Sequence, residues 1–169
     1  MAPAMDIDQL FAEHHERVFQ AAFRISGNSQ DAEDVLQTVF LNVIRRPPEV
    51  MTDPASYLCR AAINSSLDIV RRRPTDQSES LVAPGLSEAT EPGLVEDELR
   101  DDLFRAHLRR ALSAINPRGA EIFSLRYFED FSNAEIAEIL GTTASSIGVT
   151  LHRTRDQLKS LLREYDGGS

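Results

Sequence analysis

Apolar residues recur every three or four positions along most of the chain, and no stretch alternates with the period of two of a half-buried strand. Ile7, Leu10, Phe11, Val18, Ala22 and Ile25 form one stripe, which predicts a helix over residues 6–25. A Ser-Gly-Asn turn follows at 26–28. The next stripe is Ala32, Val35, Leu36, Val39, Phe40, Val43 and Ile44; it predicts a helix capped by Ser29 and stopped near Pro47-Pro48. Asp53-Pro54 is the order of a cap and a first helical residue. The helix it opens carries Leu58, Ala61, Ala62, Ile69 and Val70 and ends in Arg71-Arg72-Arg73. From Pro74 the period disappears into Pro, Gly, Ser and acid, which predicts a flexible linker. Periodicity returns with Leu99, Leu103, Leu108, Leu112 and Ile115, and Asn116-Pro117 opens a further helix through Phe128.

Residues 131–155, FSNAEIAEILGTTASSIGVTLHRTR, have the most specific local pattern. Ser132 and Glu135 stand at capping-box spacing, and Ile136, Ile139 and Leu140 share one helical face. Gly141 stops that helix, since a left-handed residue costs glycine little. Thr142 or Thr143 caps the next, whose inward face is Ile147, Leu151 and Thr154. Ser145, Ser146, Thr150, His152, Arg153 and Arg155 point outward, where hydroxyls and guanidinium groups can reach phosphates or base edges. Helix, glycine turn, helix with a polar and basic outer face is the helix-turn-helix arrangement. An ordinary helical hairpin with a solvated face has the same pattern.

The fold expected is all-α: two small helical domains, residues 1–73 and 99–169, on an acidic linker at 74–98. A net charge of −9 argues at first against a nucleic-acid partner. Its distribution reverses that argument. Residues 74–102 set 1 Arg against 9 acids, while 1–73 are close to neutral at net −2 and 103–169 at net +1. Local basic faces are therefore compatible with the total, though strong unaided DNA binding is not. The lone Cys59 excludes an internal disulfide and, in a helical pattern, reads as a small buried thiol in a reducing compartment. Four His and one Cys give no metal-ligand spacing, so neither a metal nor a cofactor is expected. No carboxylate pair, phosphate loop or nucleophile constellation suggests an enzyme. The first residues show no secretory pattern and no segment is apolar enough to span a bilayer, so a cytoplasmic protein is expected.

Two stretches together resemble the bacterial extracytoplasmic-function (ECF, group 4) sigma factors of the sigma-70 family. Asp31-Ala32-Glu33-Asp34-Val35-Leu36-Gln37-Thr38-Val39-Phe40 is similar to the family's core-polymerase-binding helix. Tyr57-Leu58, Ala61-Ala62, Asn64, Asp68 and Arg71-Arg72 are similar to its promoter-melting helix. Asn116-Pro117-Arg118, Ile122-Phe123, Arg126-Tyr127-Phe128, Glu135-Ile136-Ala137, Leu140-Gly141 and Leu151-His152-Arg153 resemble its upstream-element domain. The resemblance implies core-polymerase contacts at Asp31, Asp34, Val35, Gln37 and Thr38, and downstream-strand contacts at Asn64, Arg71 and Arg72. It implies upstream duplex contacts at His152 and Arg153, and Ser145, Ser146, Val149, Thr150 and Arg155 are candidates for the same duplex from their place on that helix. Arg71 and Arg72 equally suit compensation of a helix dipole, and Arg155 equally suits pairing with nearby acids. The implied partners are core RNA polymerase, promoter DNA and, as is usual in the family, an anti-sigma factor. Departures are Gly148 and Thr150 where the family often has Lys or Arg, and Tyr57 where it usually has Trp. A stand-alone helix-turn-helix regulator and a protein-binding adaptor are the alternatives. The first leaves the 31–40 stretch unexplained, the second the polar face of 145–155.

Overall fold

The computed structural model describes residues 5–49, 51–73 and 92–167. Its elements are α1 (Ile7–Ser26), α2 (Ser29–Arg45), α3 (Pro54–Arg72), α4 (Pro92–Ala114), α5 (Pro117–Tyr127), α6 (Asn133–Leu140) and α7 (Ala144–Gly167), with no strand among the described residues. The linker expected at 74–98 lies outside the described residues as far as residue 91, and α4 begins inside its last part.

Short polar side chains set the helix starts. Asp6 accepts the amide of Gln9, and Asp53 accepts both the amide and the hydroxyl of Ser56, with Pro54 in the first turn of α3. The Ser56 hydroxyl bond holds the Asp53 carboxyl below its usual value. The cap of α2 is Asn28 and not Ser29. Asn28 has extended backbone, and its Oδ1 accepts the Asp31 amide at 2.7 Å, which leaves Ser29 as the first helical residue. Gly27 joins α1 to α2 at φ 75°, and a Cβ there would lie 2.6 Å from Cζ of Arg109. The left-handed backbone favours glycine, while the guanidinium over it ends a flexible side chain that could move aside.

Helices α1, α2 and α3 pack around Leu10, Val18, Ala22, Val35, Val39, Phe40, Val43, Leu58 and Ala62. Helices α4 to α7 surround Leu112, Ile122, Leu125, Ile136, Ile147, Leu151 and Leu158. The sequence pattern predicts one core in each half; the structure has two cores, but the second draws on both halves. Ile25, Cys59, Ile63, Leu67 and Val70 belong to the second core, although they come from α1 and α3. Helix α3 is apolar on two sides, one turned to α1 and α2 and the other to α4 and α5. Several periodic residues lie outside both cores. Ile44, Leu99 and Leu103 are exposed, because periodicity identifies a face without saying what covers it.

Candidate nucleic-acid interface

The helix-turn-helix is built as its residues predict. The Ser132 hydroxyl accepts the Glu135 amide at 3.1 Å, and the Ser132 amide donates to Glu135 Oε1 at 3.0 Å. These bonds hold the exposed Glu135 carboxyl below its ordinary value of 4.5. A carboxyl lowered in the folded state stabilises it above the ordinary pKa and ceases to do so as pH falls through the lowered one. The protection of the amides at the start of α6, that is exchange relative to the intrinsic rate at each pH, is therefore expected to fall on acidification below about pH 4.5, and Glu135→Gln to remove that dependence. Identical pH profiles for the two proteins would refute this role for the cap.

Gly141 ends α6 at φ 69°. Of the two threonines, Thr143 is the cap of α7, accepting the Ser146 amide at 3.1 Å. Ile147, Leu151, Thr154 and Leu158 turn inward and are buried. Ser145, Ser146, Val149, His152, Arg153 and Arg155 are exposed on the opposite side, and Thr150 is half-buried. The candidate upstream residues thus share one accessible helix face. Val149 is 51% exposed, an apolar contact on a polar surface of the kind a thymine methyl accepts. Arg155 donates to the Tyr127 hydroxyl at 2.8 Å, a neutral partner on α5 and not an acid. His152 Nε2 lies 3.6 Å from Asp156. Arg153 has no ion pair among the described residues. A Cβ at Gly148 would meet only Asn133 Nδ2, at 3.8 Å, so packing does not demand glycine there.

The α2 candidates divide. Asp34, Gln37 and Thr38 are exposed at i, i+3 and i+4, with Leu41 and Ile44 exposed farther along the helix. Val35 is a correction: it is 1% exposed and packed in the first core, since one residue along a helix is a rotation of about 100°. Asp31 is half-buried and occupied. Its Oδ2 accepts from Arg73 at 2.6 Å and from Asn28 at 2.9 Å, tying the start of α2 to the end of α3.

On α3, Arg72 is exposed, while Arg71 is half-buried with Nη1 3.4 Å from Asp68. Asn64 is neither solvent-facing nor free: its Nδ2 donates to Glu121 Oε2 on α5. Arg60 Nε donates to the same oxygen at 3.1 Å, and Arg24 Nη1 reaches the Glu129 carboxylate at 2.8 Å. Sequence reading missed both carboxylates. The available signal was Glu121 inside the apolar run Ala120 to Leu125, where a charge needs a partner. Burial, then Glu129, raises the Cys59 thiol to about 11, so only about one in a thousand is thiolate at pH 8.

Among the described residues no group of His, Cys, Asp and Glu could hold a metal, and no helix is long and apolar enough to cross a membrane. Residues 10–74 match sigma-70 region 2, and residues 105–158 match sigma-70 region 4. The chain is 30% identical over 161 residues to the RNA polymerase sigma factor CarQ of Myxococcus xanthus, across 94% of this chain and 90% of that one. It is 31% identical over 159 residues to the ECF RNA polymerase sigma factor SigE of Mycolicibacterium smegmatis, across 94% of this chain but 62% of that longer relative. Among solved structures, CnrH in complex with the cytosolic domain of CnrY aligns with a TM-score of 0.56 and 22% identity over 93% of this chain and 87% of that one. The sigma factor RpoE in complex with the anti-sigma factor NepR from Bartonella quintana aligns at 0.54 and 19%, over 94% and 97%. At these identities the structural likeness is one of fold.

Proposed function

The chain belongs to the ECF sigma factors of the sigma-70 family, and from that premise we propose how its helices divide the work of directing RNA polymerase to promoters. Sigma factors are regulatory and not enzymatic. The domain at 1–73 binds core polymerase and captures the downstream element; the domain from α4 onward binds the upstream element; the residues between α3 and α4 link them. Asp34, Gln37 and Thr38 form the polymerase-docking face, while Asp31 and Val35 hold α2 in the shape that presents it. Asn64 reads the opened downstream strand, with Arg71 and Arg72 on its phosphates. Ser145, Ser146, Val149, Thr150, His152 and Arg153 enter the upstream major groove, and Arg155 steadies α7 from Tyr127. The site of action is the cytoplasm, where core polymerase and DNA are, and an anti-sigma factor is the expected antagonist.

The observation that carries this reading is the exposed face of α7, held outward by a buried Ile147, Leu151 and Thr154. Run-off transcription with purified core polymerase tests it. Arg153→Ala should cost about 1–3 kcal/mol on the cognate promoter if the guanidinium pairs with a guanine edge. The loss should vanish on a template altered at that base. Equal run-off by both proteins on every template would remove Arg153 from the interface.

A further inference from the structure

Asn64, assigned to the downstream strand, and the guanidinium groups of Arg60 and Arg24 meet buried acids of the C-terminal domain, whereas Arg71 and Arg72 do not. Glu121 is 5% exposed and Glu129 8% exposed, and each carboxylate is turned toward helices of the other domain. Glu121 Oε2 receives both Asn64 and Arg60, and its Oε1 lies 3.8 Å from Arg118 on its own helix. Glu129 receives Arg24 through both oxygens, at 2.8 and 3.1 Å. Two more acids, Glu135 and Glu138, line a groove of about 290 Å³ with Tyr57 and Arg60. Two oxygens set between guanidinium groups and an amide donor are also what a strand phosphate offers.

We infer that Glu121 and Glu129 stand in for strand phosphates, so that the free chain masks its own downstream reader while leaving its upstream reader uncovered. The inference rests on the proposed role of Asn64. Burying a carboxylate is costly, and an ion pair at such a depth does little more than offset the loss of hydration. The contact is therefore poor as a source of stability but well suited to exchange. A strand supplying the same charge can replace the two carboxylates without leaving Arg60, Asn64 or Arg24 unpaired. The two readers differ in this respect. On α7 Ser145, Val149, His152 and Arg153 remain exposed in the same arrangement. Ile25, Cys59, Ile63, Leu67 and Val70 pack under the contact, so separation of the domains must uncover Cys59, the single cysteine.

Cys59 makes the inference measurable in the full-length chain. Glu121→Gln combined with Glu129→Gln should raise the rate of Cys59 modification by an aromatic disulfide at pH 7.5 at least tenfold. The same variant should bind a fluorescent mixed-sequence single-stranded DNA at least fivefold tighter. Its affinity for duplex DNA should not change. An unchanged thiol rate would overturn the inference, because the carboxylates would not be holding the domains together. A faster thiol with unchanged single-strand binding would also overturn it, since the contact would then close the molecule without masking it. Should the double variant lose helicity by circular dichroism, Glu121→Gln alone is measured against the same two thresholds. The role of Asn64 is checked separately, with Asn64→Ala holoenzyme on a template already opened at the start site. Undiminished transcription there would defeat the strand assignment, whatever the thiol rate.

Discussion

Ile63→Ala is expected to lower the free energy of unfolding by about 2–5 kcal/mol, a large part of a total margin of about 5–15 kcal/mol. Ile63 is fully buried where α3 meets the second half of the chain, in one cluster with Ile25, Leu67, Leu112 and Leu125. Truncation there removes transfer free energy and leaves a cavity whose walls belong to both domains, so neither can collapse into it alone. Because α3 contributes side chains to both cores, the wild type should unfold in a single transition in urea. The variant's midpoint should fall by the amount that corresponds to the lost energy. A loss below about 1 kcal/mol would mean that Ile63 is not tightly packed at a junction. A biphasic wild-type curve would mean that the two cores do not cooperate.

Asp34→Ala with Gln37→Ala should weaken binding to core polymerase by about 2 kcal/mol or more, roughly 30-fold, while leaving the fold intact. Both side chains are exposed and neither is needed to cap α2, whose start is held by Asn28. The contrast is Asp31→Ala. Asp31 accepts Arg73 and Asn28, so its loss should reduce stability first and affinity only through the disturbed helix. Titration of labelled chain with core polymerase, beside thermal unfolding of each variant, separates the two kinds of effect. Unchanged affinity of the Asp34 and Gln37 double variant would show that this face of α2 is not the docking face.

What could be read beforehand was local. The capping box of Ser132 and Glu135, the stop at Gly141 and the Asp53-Pro54 start depend on residues within four positions of one another. The inward set Ile147, Leu151 and Thr154 also follows from helical spacing alone. At the start of α2 Asn28 and Ser29 are both good caps, and the choice of Asn28 lies in backbone torsions that the sequence does not show. A matching stretch marks a helix and not the side it presents, so it groups the buried Val35 with the exposed Asp34, Gln37 and Thr38.

The sequence by itself determined the all-α class of the described residues, their seven helices to within a few positions, and the polar outer face of α7, because hydrophobic period and capping chemistry act over short separations. Tertiary structure alone decided that Cys59, Ile63, Leu67 and Val70 join the core of the other domain, and that Asn64 and Arg60 meet Glu121. Those contacts join residues about 60 positions apart. Nothing in the local spacing of either partner specifies the other; only the docking of one set of helices on the other brings the charges together.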